Sequence, residues 1–311
     1  MEQIRETFEV TVEYDEERLD KFLAVLYPAF SRSFFQKLIK DGCVTVNDVV
    51  QSKVSSQVHY MDIVSVSVPE AAETSILPED IPLEILYEDE DVLIVNKPKG
   101  MVVHPCPGHY SGTLVNAVMY HCKDHLSGIN GEIRPGIVHR IDMDTTGSLI
   151  ICKNDRSHRL IAEQIKEHSV NRVYRGIVQG IVKQESGTIG GAIGRHPVQR
   201  KKMAIVTQGG KPAITHYRVL ERFQNASYME FRLETGRTHQ IRVHMASIGH
   251  PLLGDGVYGS LKNPYHLTGQ TLHAYSIGFI HPVTGSYMEF TAPLPEYFTD
   301  LLHKLTVHFH K

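Results

Sequence analysis

The stretch that most constrains the fold is residues 136–154, in which apolar runs flank a short polar centre. Asp142 and Asp144 lie in this centre, and 145–147 (Thr-Thr-Gly) connects them to the apolar run 149–152. A short apolar run bounded by turn-forming residues is typical of a buried strand. The sequence therefore predicts a polar turn at the mouth of a buried strand. That turn is either a plain surface turn whose side chains accept local hydrogen bonds or a place where a fixed backbone aims reactive groups.

The chain after residue 82 mixes strand patterns with a few helix patterns. Strands are predicted at 92–95, 149–152, 173–178 and 229–233, and helices at 111–122, 157–168 and 237–248. Leu160, Ile161 and Ile165 mark the buried face of one helix, and Ile241, Met245 and Ile248 that of another. This arrangement predicts an α+β domain with a mixed, mainly antiparallel sheet flanked by helices.

The N-terminal part carries a different, smaller pattern. We predict a strand up to residue 14, a helix capped by Asp15, and a second helix opening at 31–33. A strand and tight turn follow at 43–48, and 63–68 alternates as another strand.

These N-terminal residues resemble an S4-type RNA-binding domain, through Arg-Leu-Asp-Lys-Phe-Leu at 18–23, Ser-Arg-Ser at 31–33 and the 42–47 turn. The resemblance implies that the second helix and the hairpin after it bind structured RNA. Two turns depart from the family pattern, since Asn47-Asp48 replaces Asn-Gly and Met61-Asp62 replaces Gly-Asp. The alternative is a two-helix packing module with solvated basic residues. The phosphate contacts implied by the resemblance are Arg32, Lys37 and Lys40.

A change of composition separates the two patterns. Residues 71–82 are acidic and rich in Pro and Ala, which is typical of a linker. We therefore predict an S4-like domain over 1–70 and a second domain over 83–311.

Three stretches of the second domain contain residues suited to chemistry: 139–142 (His-Arg-Ile-Asp), 172–176 (Arg-Val-Tyr-Arg-Gly) and 235–244 (Thr-Gly-Arg-Thr-His-Gln-Ile-Arg-Val-His). Together they resemble the RluA-type family of RNA pseudouridine synthases. The family's His-Arg-Leu-Asp has one conservative change here, the 235–244 motif matches letter for letter, and 250–255 continues it.

The resemblance implies that uridine in RNA is converted to its C-glycoside isomer, with Asp142 as the catalytic carboxylate. No electrons or groups enter this reaction, so we expect no cofactor. The carboxylate acts either as a nucleophile or as a base, and the sequence leaves both routes open. Because burial disfavours an ionised carboxylate, an adjacent cation is expected. The motif assigns this task to Arg242, for which the alternative is a solvated arginine on a helix surface.

The resemblance also assigns groups that handle the RNA. Tyr174 becomes the ring that stacks on the extruded base, although a core tyrosine is the plainer interpretation. Arg140 is placed near the displaced nucleotide, and Arg237 and His239 are expected to contact RNA.

A basic run at 195–203 follows four glycines and is predicted to be a mobile loop that reaches RNA phosphates. The alternative is a solvated charge run. The residues predicted to contact RNA here are Arg195, Arg200, Lys201 and Lys202.

Composition limits the partners and the compartment. The net charge is −3, so any RNA-binding surface must concentrate positive charge locally. None of the nineteen histidines has zinc-site spacing, so we predict no metal. The charged start lacks a signal-peptide pattern, and no apolar stretch could span a membrane, so we predict that the protein is cytoplasmic. We also expect a monomer.

Large-subunit ribosomal RNA is the expected substrate, because S4-bearing members of this family mostly act on it, and transfer RNA is the alternative. Two other functions stay open at this point. One is an RNA-binding assembly factor without activity, and the other is a carboxylate-dependent nucleoside hydrolase.

Overall fold

The N-terminal part of the computed structural model is built on a four-stranded antiparallel sheet in the order β1-β4-β2-β3. Two helices cover it, and their apolar faces meet the sheet in one core that includes Phe22, Phe35 and Val64. The elements of this part are β1 (Ile4–Glu9), α1 (Leu19–Leu26), α2 (Arg32–Lys40), β2 (Val44–Val46), β3 (Val49–Val50) and β4 (Ile63–Val68).

The chain divides into two compact units, of which the first ends at Ile76 and the second begins at Leu77. The predicted boundaries at residues 70 and 82 lie around this division and stay a prediction. The structure describes residues 4–27, 32–68, 76–106, 108–123, 125–127, 135–199, 202–259 and 264–309.

The start of the first helix differs from the prediction. Strand β1 ends at Glu9, a short 3-10 turn occupies Val12–Tyr14, and α1 begins only at Leu19. The Asp15 carboxylate accepts the backbone N–H of Tyr60 at 2.9 Å and does not cap the helix. The Asp15 side chain, which the local pattern assigned to helix capping, therefore forms a tertiary hydrogen bond instead.

Arg32 is bound within its own domain. The Asp20 side chain is fully buried and accepts from Arg32 Nε at 2.9 Å, from Arg18 Nε at 3.0 Å and from Gln36 Nε2 at 2.7 Å. Burial opposes its charge, but these hydrogen bonds outweigh burial and lower the pKa of Asp20 to about 2. Lys37 and Lys40 are exposed, as predicted.

The two turns that depart from the S4 pattern have left-handed backbones without glycine. Asn47 and Asp48 have φ of 50° and 62° in the two-residue β2–β3 hairpin, and Met61 has φ of 69°. Such hairpins favour Asn-Gly because both central residues need positive φ. Asx side chains tolerate this region, whereas methionine does not.

Replacing Met61 with glycine is therefore expected to stabilise the N-terminal unit by about 0.5–1 kcal/mol, because the strain of positive φ exceeds the added freedom of the unfolded chain. Met61 is 63% exposed, so little packing is lost. Thermal unfolding measures the effect. Met61→Ala removes the same side chain but keeps the strain, so its melting temperature should not rise; equal gains for both variants would contradict this account.

The second unit is organised around a ten-stranded sheet that is antiparallel except for the β7–β13 pair. Its order is β10-β9-β11-β12-β8-β13-β7-β6-β5, and β14 also pairs with β13. The predicted mixed, mainly antiparallel sheet is thus confirmed. The strands are β5 (Ile85–Glu88), β6 (Val92–Lys97), β7 (Thr146–Cys152), β8 (Asn171–Gln179), β9 (Ser186–Arg195), β10 (Met203–Ile205), β11 (Lys211–Arg222), β12 (Ala226–Leu233), β13 (Leu272–Ile280) and β14 (Tyr287–Thr291).

Helices cover both faces of this sheet. The fifth packs through Val243 on Ala213 of β11, on the face that carries Tyr174, whereas the sixth packs on Ile177 and Ala226 on the opposite face. No described helix is long and apolar enough to cross a membrane. The helices of this unit are α3 (Leu114–Cys122), α4 (Asp155–Lys166), α5 (Gln240–Ser247) and α6 (Glu296–Phe309).

Three local predictions were wrong in detail. Helix α5 begins at Gln240 and not at 237, because His239 has φ of 57° and stands at its N-cap. Ile248 lies beyond the last turn and is exposed, and Leu160 of α4 is exposed as well. The glycines 187, 190, 191 and 194 belong to strand β9, so the predicted loop is only the link from β9 to β10.

Candidate active site

The polar turn before β7 is held in place by backbone contacts. The Thr145 N–H donates to the Asp142 carbonyl at 3.0 Å, and β7 begins one residue later. Gly147 has φ of 111°, and a Cβ there would lie 2.2 Å from the Ala274 carbonyl oxygen of β13. Only glycine permits this close approach, so the strand fixes the position from which Asp142 projects.

Lys97 also holds this turn in place. Its side chain is fully buried, and Nζ donates to the carbonyl oxygens of Pro98, Met101 and Met143 at 2.7, 2.8 and 2.9 Å. Burial lowers the pKa of Lys97 to about 7, which Asp144 and Asp142 partly oppose. The lysine thereby ties the end of β6 to the turn that carries Asp142.

Arg242 links two carboxylates at the first turn of α5. Its Nη1 donates to Asp142 Oδ2 at 3.0 Å. Its Nε and Nη2 donate to the two oxygens of Asp255 at 2.7 and 2.9 Å. Asp255 also accepts the backbone N–H groups of Val257 and Tyr258. A bidentate pair of this kind fixes the plane of the guanidinium, so Asp255 aims Arg242 at Asp142.

The charges of this group are mutually stabilised. Burial opposes ionisation of Asp255, but the hydrogen bonds and charge of Arg242 outweigh it and hold the pKa of Asp255 below its usual range. Burial alone would lower the pKa of Arg242, and Asp255 and Asp142 reverse this and raise it. Arg242 is thus a permanent cation beside Asp142, whose side chain is 20% exposed to the cleft.

His239 lies on the other side of Asp142, with Nε2 3.9 Å from Oδ1. Its Nδ1 is hydrogen-bonded to the Tyr258 hydroxyl at 2.8 Å, and that hydroxyl also accepts the Met203 N–H. Burial lowers the pKa of His239, Asp142 partly opposes this and Arg242 adds to it. The imidazole is therefore neutral near pH 7 and offers a hydrogen bond rather than a charge.

The 235–239 turn is shaped by Gln240. Its Oε1 accepts from Thr235 Oγ1 at 2.8 Å and from the Arg237 N–H at 2.9 Å. Its Nε2 donates to the Ile214 carbonyl at 2.9 Å. One buried amide, two residues before Arg242, thus fixes the turn on β11.

These side chains surround a cleft that encloses about 360 Å³, its open mouth included. Tyr174 of β8 lines the cleft and is buried, and burial together with Asp142 raises its pKa, against a lowering from Arg172. The predicted residues Arg140, Asp142, Tyr174, Arg237, His239 and Arg242 all line it.

His139 has a structural contact. Its Nε2 accepts the Ile150 N–H of β7 at 3.0 Å. Burial, and secondarily Arg172, lower the pKa of His139 to about 3. The first residue of the His-Arg-Ile-Asp motif is thus a neutral hydrogen-bond acceptor. It attaches the segment before the Asp142 turn to strand β7.

Five other predicted RNA contacts are not among the residues that line the cleft. Arg32, Lys37 and Lys40 are on the N-terminal unit, and Arg195 and Lys202 stand at the ends of the β9–β10 link. Arg200 and Lys201 lie outside the described residues. Their contact with RNA stays a prediction.

Sequence reasoning missed Lys97 and Asp255. Lys97 follows the predicted strand 92–95, and no local pattern indicates that its side chain is buried. Asp255 was visible as the end of the 250–255 continuation, but only the folded chain brings it to Arg242.

Among the described residues, two groups of potential metal ligands lie away from the cleft, and both are already hydrogen-bonded. In the first, Glu88 bonds His121 at 2.8 Å and Lys153 at 2.8 Å, so a cation would have to displace a lysine. In the second, Asp89 accepts two backbone N–H groups and bonds Tyr87 and His281.

Known proteins resemble both parts of the chain. The family model described as RNA pseudouridylate synthase matches residues 91–247, and the S4 domain model matches 17–64. An uncharacterized RNA pseudouridine synthase of Bacillus subtilis is 51% identical over 94% of this chain and 95% of its own length. A ribosomal large subunit pseudouridine synthase D of Zymomonas mobilis is 48% identical over 90% of each. The solved human RNA pseudouridylate synthase domain containing 1 superposes with a TM-score of 0.57 at 25% identity, covering 73% of this chain and 96% of that one.

Proposed function

The chain belongs to the RNA pseudouridylate synthase family, with an N-terminal S4 domain, and we propose that it isomerises specific uridines of large-subunit ribosomal RNA with Asp142 as the reacting carboxylate. The observation that carries the catalytic assignment is the Asp142–Arg242–Asp255 chain at the cleft. The Asp142 carboxylate there is partly exposed and has a fixed cation beside it.

This arrangement suits the chemistry of isomerisation. The N1–C1′ bond breaks, the uracil turns, C5 bonds to C1′, the C5 proton leaves and N1 takes up a proton. Asp142 can attack as a nucleophile or remove a sugar proton, and both routes use the same ionised form. Arg242 maintains that form as the base enters and water leaves, because a buried carboxylate needs an opposite charge.

The substrate class is supported by named relatives. Proteins called ribosomal large subunit pseudouridine synthase D match with 40–48% identity over most of this chain, from Zymomonas mobilis, Pseudomonas aeruginosa, two Neisseria meningitidis strains and Pasteurella multocida. We place the enzyme in the cytoplasm, as a monomer without a cofactor. In this proposal the S4 domain grips a neighbouring part of the RNA through Lys37 and Lys40.

An assay with unmodified transcripts tests the proposal. Large-subunit ribosomal RNA and transfer RNA made in vitro are incubated with the enzyme, and pseudouridine is mapped at nucleotide resolution. Site-specific pseudouridine in the ribosomal transcript is expected, without release of free base. Modification of transfer RNA alone would identify transfer RNA as the substrate. Released uracil would indicate a hydrolase. Binding without product would indicate an assembly factor.

The Tyr174 ring is expected to contribute more than its hydroxyl. Base–aromatic stacking contributes about 1–3 kcal/mol per base, so Tyr174→Leu should lower kcat/KM by about 5- to 150-fold. Tyr174→Phe keeps the ring and should retain most of the activity. Steady-state kinetics on the ribosomal transcript measure both variants. A phenylalanine variant as impaired as the leucine variant would assign the role to the hydroxyl instead.

A further inference from the structure

Arg172 is a buried arginine that takes no part in the isomerisation steps proposed for Asp142 and Arg242. It precedes Tyr174 by two residues on β8, so both side chains point to the face of the sheet that carries the cleft. Only 7% of Arg172 is exposed. Its Nη2 donates to the Glu234 carbonyl at 3.3 Å, and its Nε has no partner among the described residues.

The surroundings of Arg172 do not neutralise it. Burial lowers the pKa of Arg172, Tyr174 partly opposes this and Arg237 adds to it. Among the residues that the structure describes, no carboxylate forms an ion pair with it. Buried charges in proteins are normally paired and hydrogen-bonded, because leaving water is costly for an ion. The free protein therefore keeps a desolvated cation beside the cleft, and an anion from outside would stabilise it.

Gly236 leaves one edge of this guanidinium uncovered. A Cβ at 236 would lie 2.6 Å from Arg172 Nη1, and Gly236 itself is exposed. Its φ is outside the left-handed region, so backbone freedom does not explain the glycine. Arg237 follows directly and lines the cleft, with Nε donating to the Pro212 carbonyl at 3.0 Å. Two guanidinium groups thus approach the same exposed turn.

Building on the proposed function, we propose that Arg172 and Arg237 bind one backbone phosphate of the RNA, next to the uridine that enters the cleft. Guanidinium groups form strong, directed hydrogen bonds to phosphate oxygens. A phosphate at Gly236 would supply the counter-ion that Arg172 lacks. It would also anchor the RNA backbone at a fixed distance from Tyr174, so that the extruded base is delivered to the ring.

The test measures RNA affinity and stability together. In the Asp142→Asn background, which separates binding from chemistry, Arg172→Met should raise the Kd for the unmodified ribosomal transcript by about 10-fold. The slope of log Kd against log salt should fall by about 0.7–0.9, the value of one phosphate contact. Thermal unfolding should show no loss of stability, because the removed charge has no ion-pair partner among the described residues. Gly236→Ala, which keeps the charge but displaces Nη1, should also raise the Kd.

Arg159→Met is the matched control, since Arg159 is an exposed arginine of α4. It should leave both the Kd and the salt slope unchanged. A lower melting temperature for Arg172→Met with the parent's Kd and slope would show a structural arginine and overturn the inference. Pseudouridine formation by the wild-type enzyme is measured separately, so the proposed function can stand while this phosphate contact fails. If no RNA binds to the parent, both fail.

Discussion

Asp142→Asn is expected to reduce pseudouridine formation by at least about 1,000-fold, because asparagine is neither a nucleophile nor a base. The replacement has nearly the same shape, and its amide oxygen can still accept from Arg242 Nη1, which now lies 3.0 Å from Asp142. The cleft should therefore keep its form and its affinity for RNA while the chemistry stops. Single-turnover assays on the ribosomal transcript measure the rate, and a gel-shift titration measures the affinity.

Asp144→Asn is the matched control for this prediction. Asp144 stands two residues further on in the same turn, and its Oδ2 would lie 2.5 Å from a Cβ at Gly269, away from the cleft lining. It should retain activity within about 10-fold, since no role in the reaction is assigned to it. Full activity of Asp142→Asn, or equal loss in both variants, would refute the assignment of Asp142.

The sequence predicts those features that depend on local patterns. The apolar run 149–152 indicated the buried strand, and all seven residues of β7 are buried. Hydrophobic periodicity also located β8, β12 and α4, and the scatter of strands gave the mixed sheet. The alternation of Met229, Phe231 and Leu233 with charged residues predicts outward-facing charged side chains, which is wrong for Glu230. It is buried because Arg175 and Arg218 pair with it from the neighbouring strands, and the partners of a strand are set by the sheet.

The candidate site shows the same division. Motif resemblance supplied Asp142, Tyr174 and Arg242, whereas Asp255 and Lys97 follow from contacts between distant segments. Asp255 lies 13 residues beyond Arg242, and Lys97 Nζ reaches the Met143 carbonyl across 46 residues. The sequence also did not indicate the left-handed backbone of His239, because helix propensity continues through this position. The turn there is fixed by the Gln240 side chain. Side chains that organise a site through tertiary hydrogen bonds leave little local signal.

The second large effect concerns the stability of the Arg242–Asp255 pair. Arg242→Gln leaves the Asp255 carboxylate fully buried with only two backbone N–H donors. Removing one partner of a buried ion pair costs about 3–5 kcal/mol, because the other charge stays desolvated. We therefore expect the free energy of unfolding of the second unit to fall by about that amount in urea titrations. Activity should fall with it, since Asp142 loses its cation.

The double variant Arg242→Gln/Asp255→Asn separates stability from catalysis, because it removes both charges and leaves neutral groups of similar size. It should recover most of the lost stability and none of the activity.

The wild-type pair also predicts a pH dependence. The folded pKa of Asp255 is below its usual range, so the stabilisation is complete above the unfolded carboxyl pKa and is lost as the pH falls through the folded one. The double variant should lack this acid-dependent loss. If the double variant were as unstable as Arg242→Gln, the buried charge could not be the cause. The contact of the Arg242 guanidinium with the Tyr258 ring, whose centre lies 5.1 Å from Arg242 Cζ, would then account for the stability.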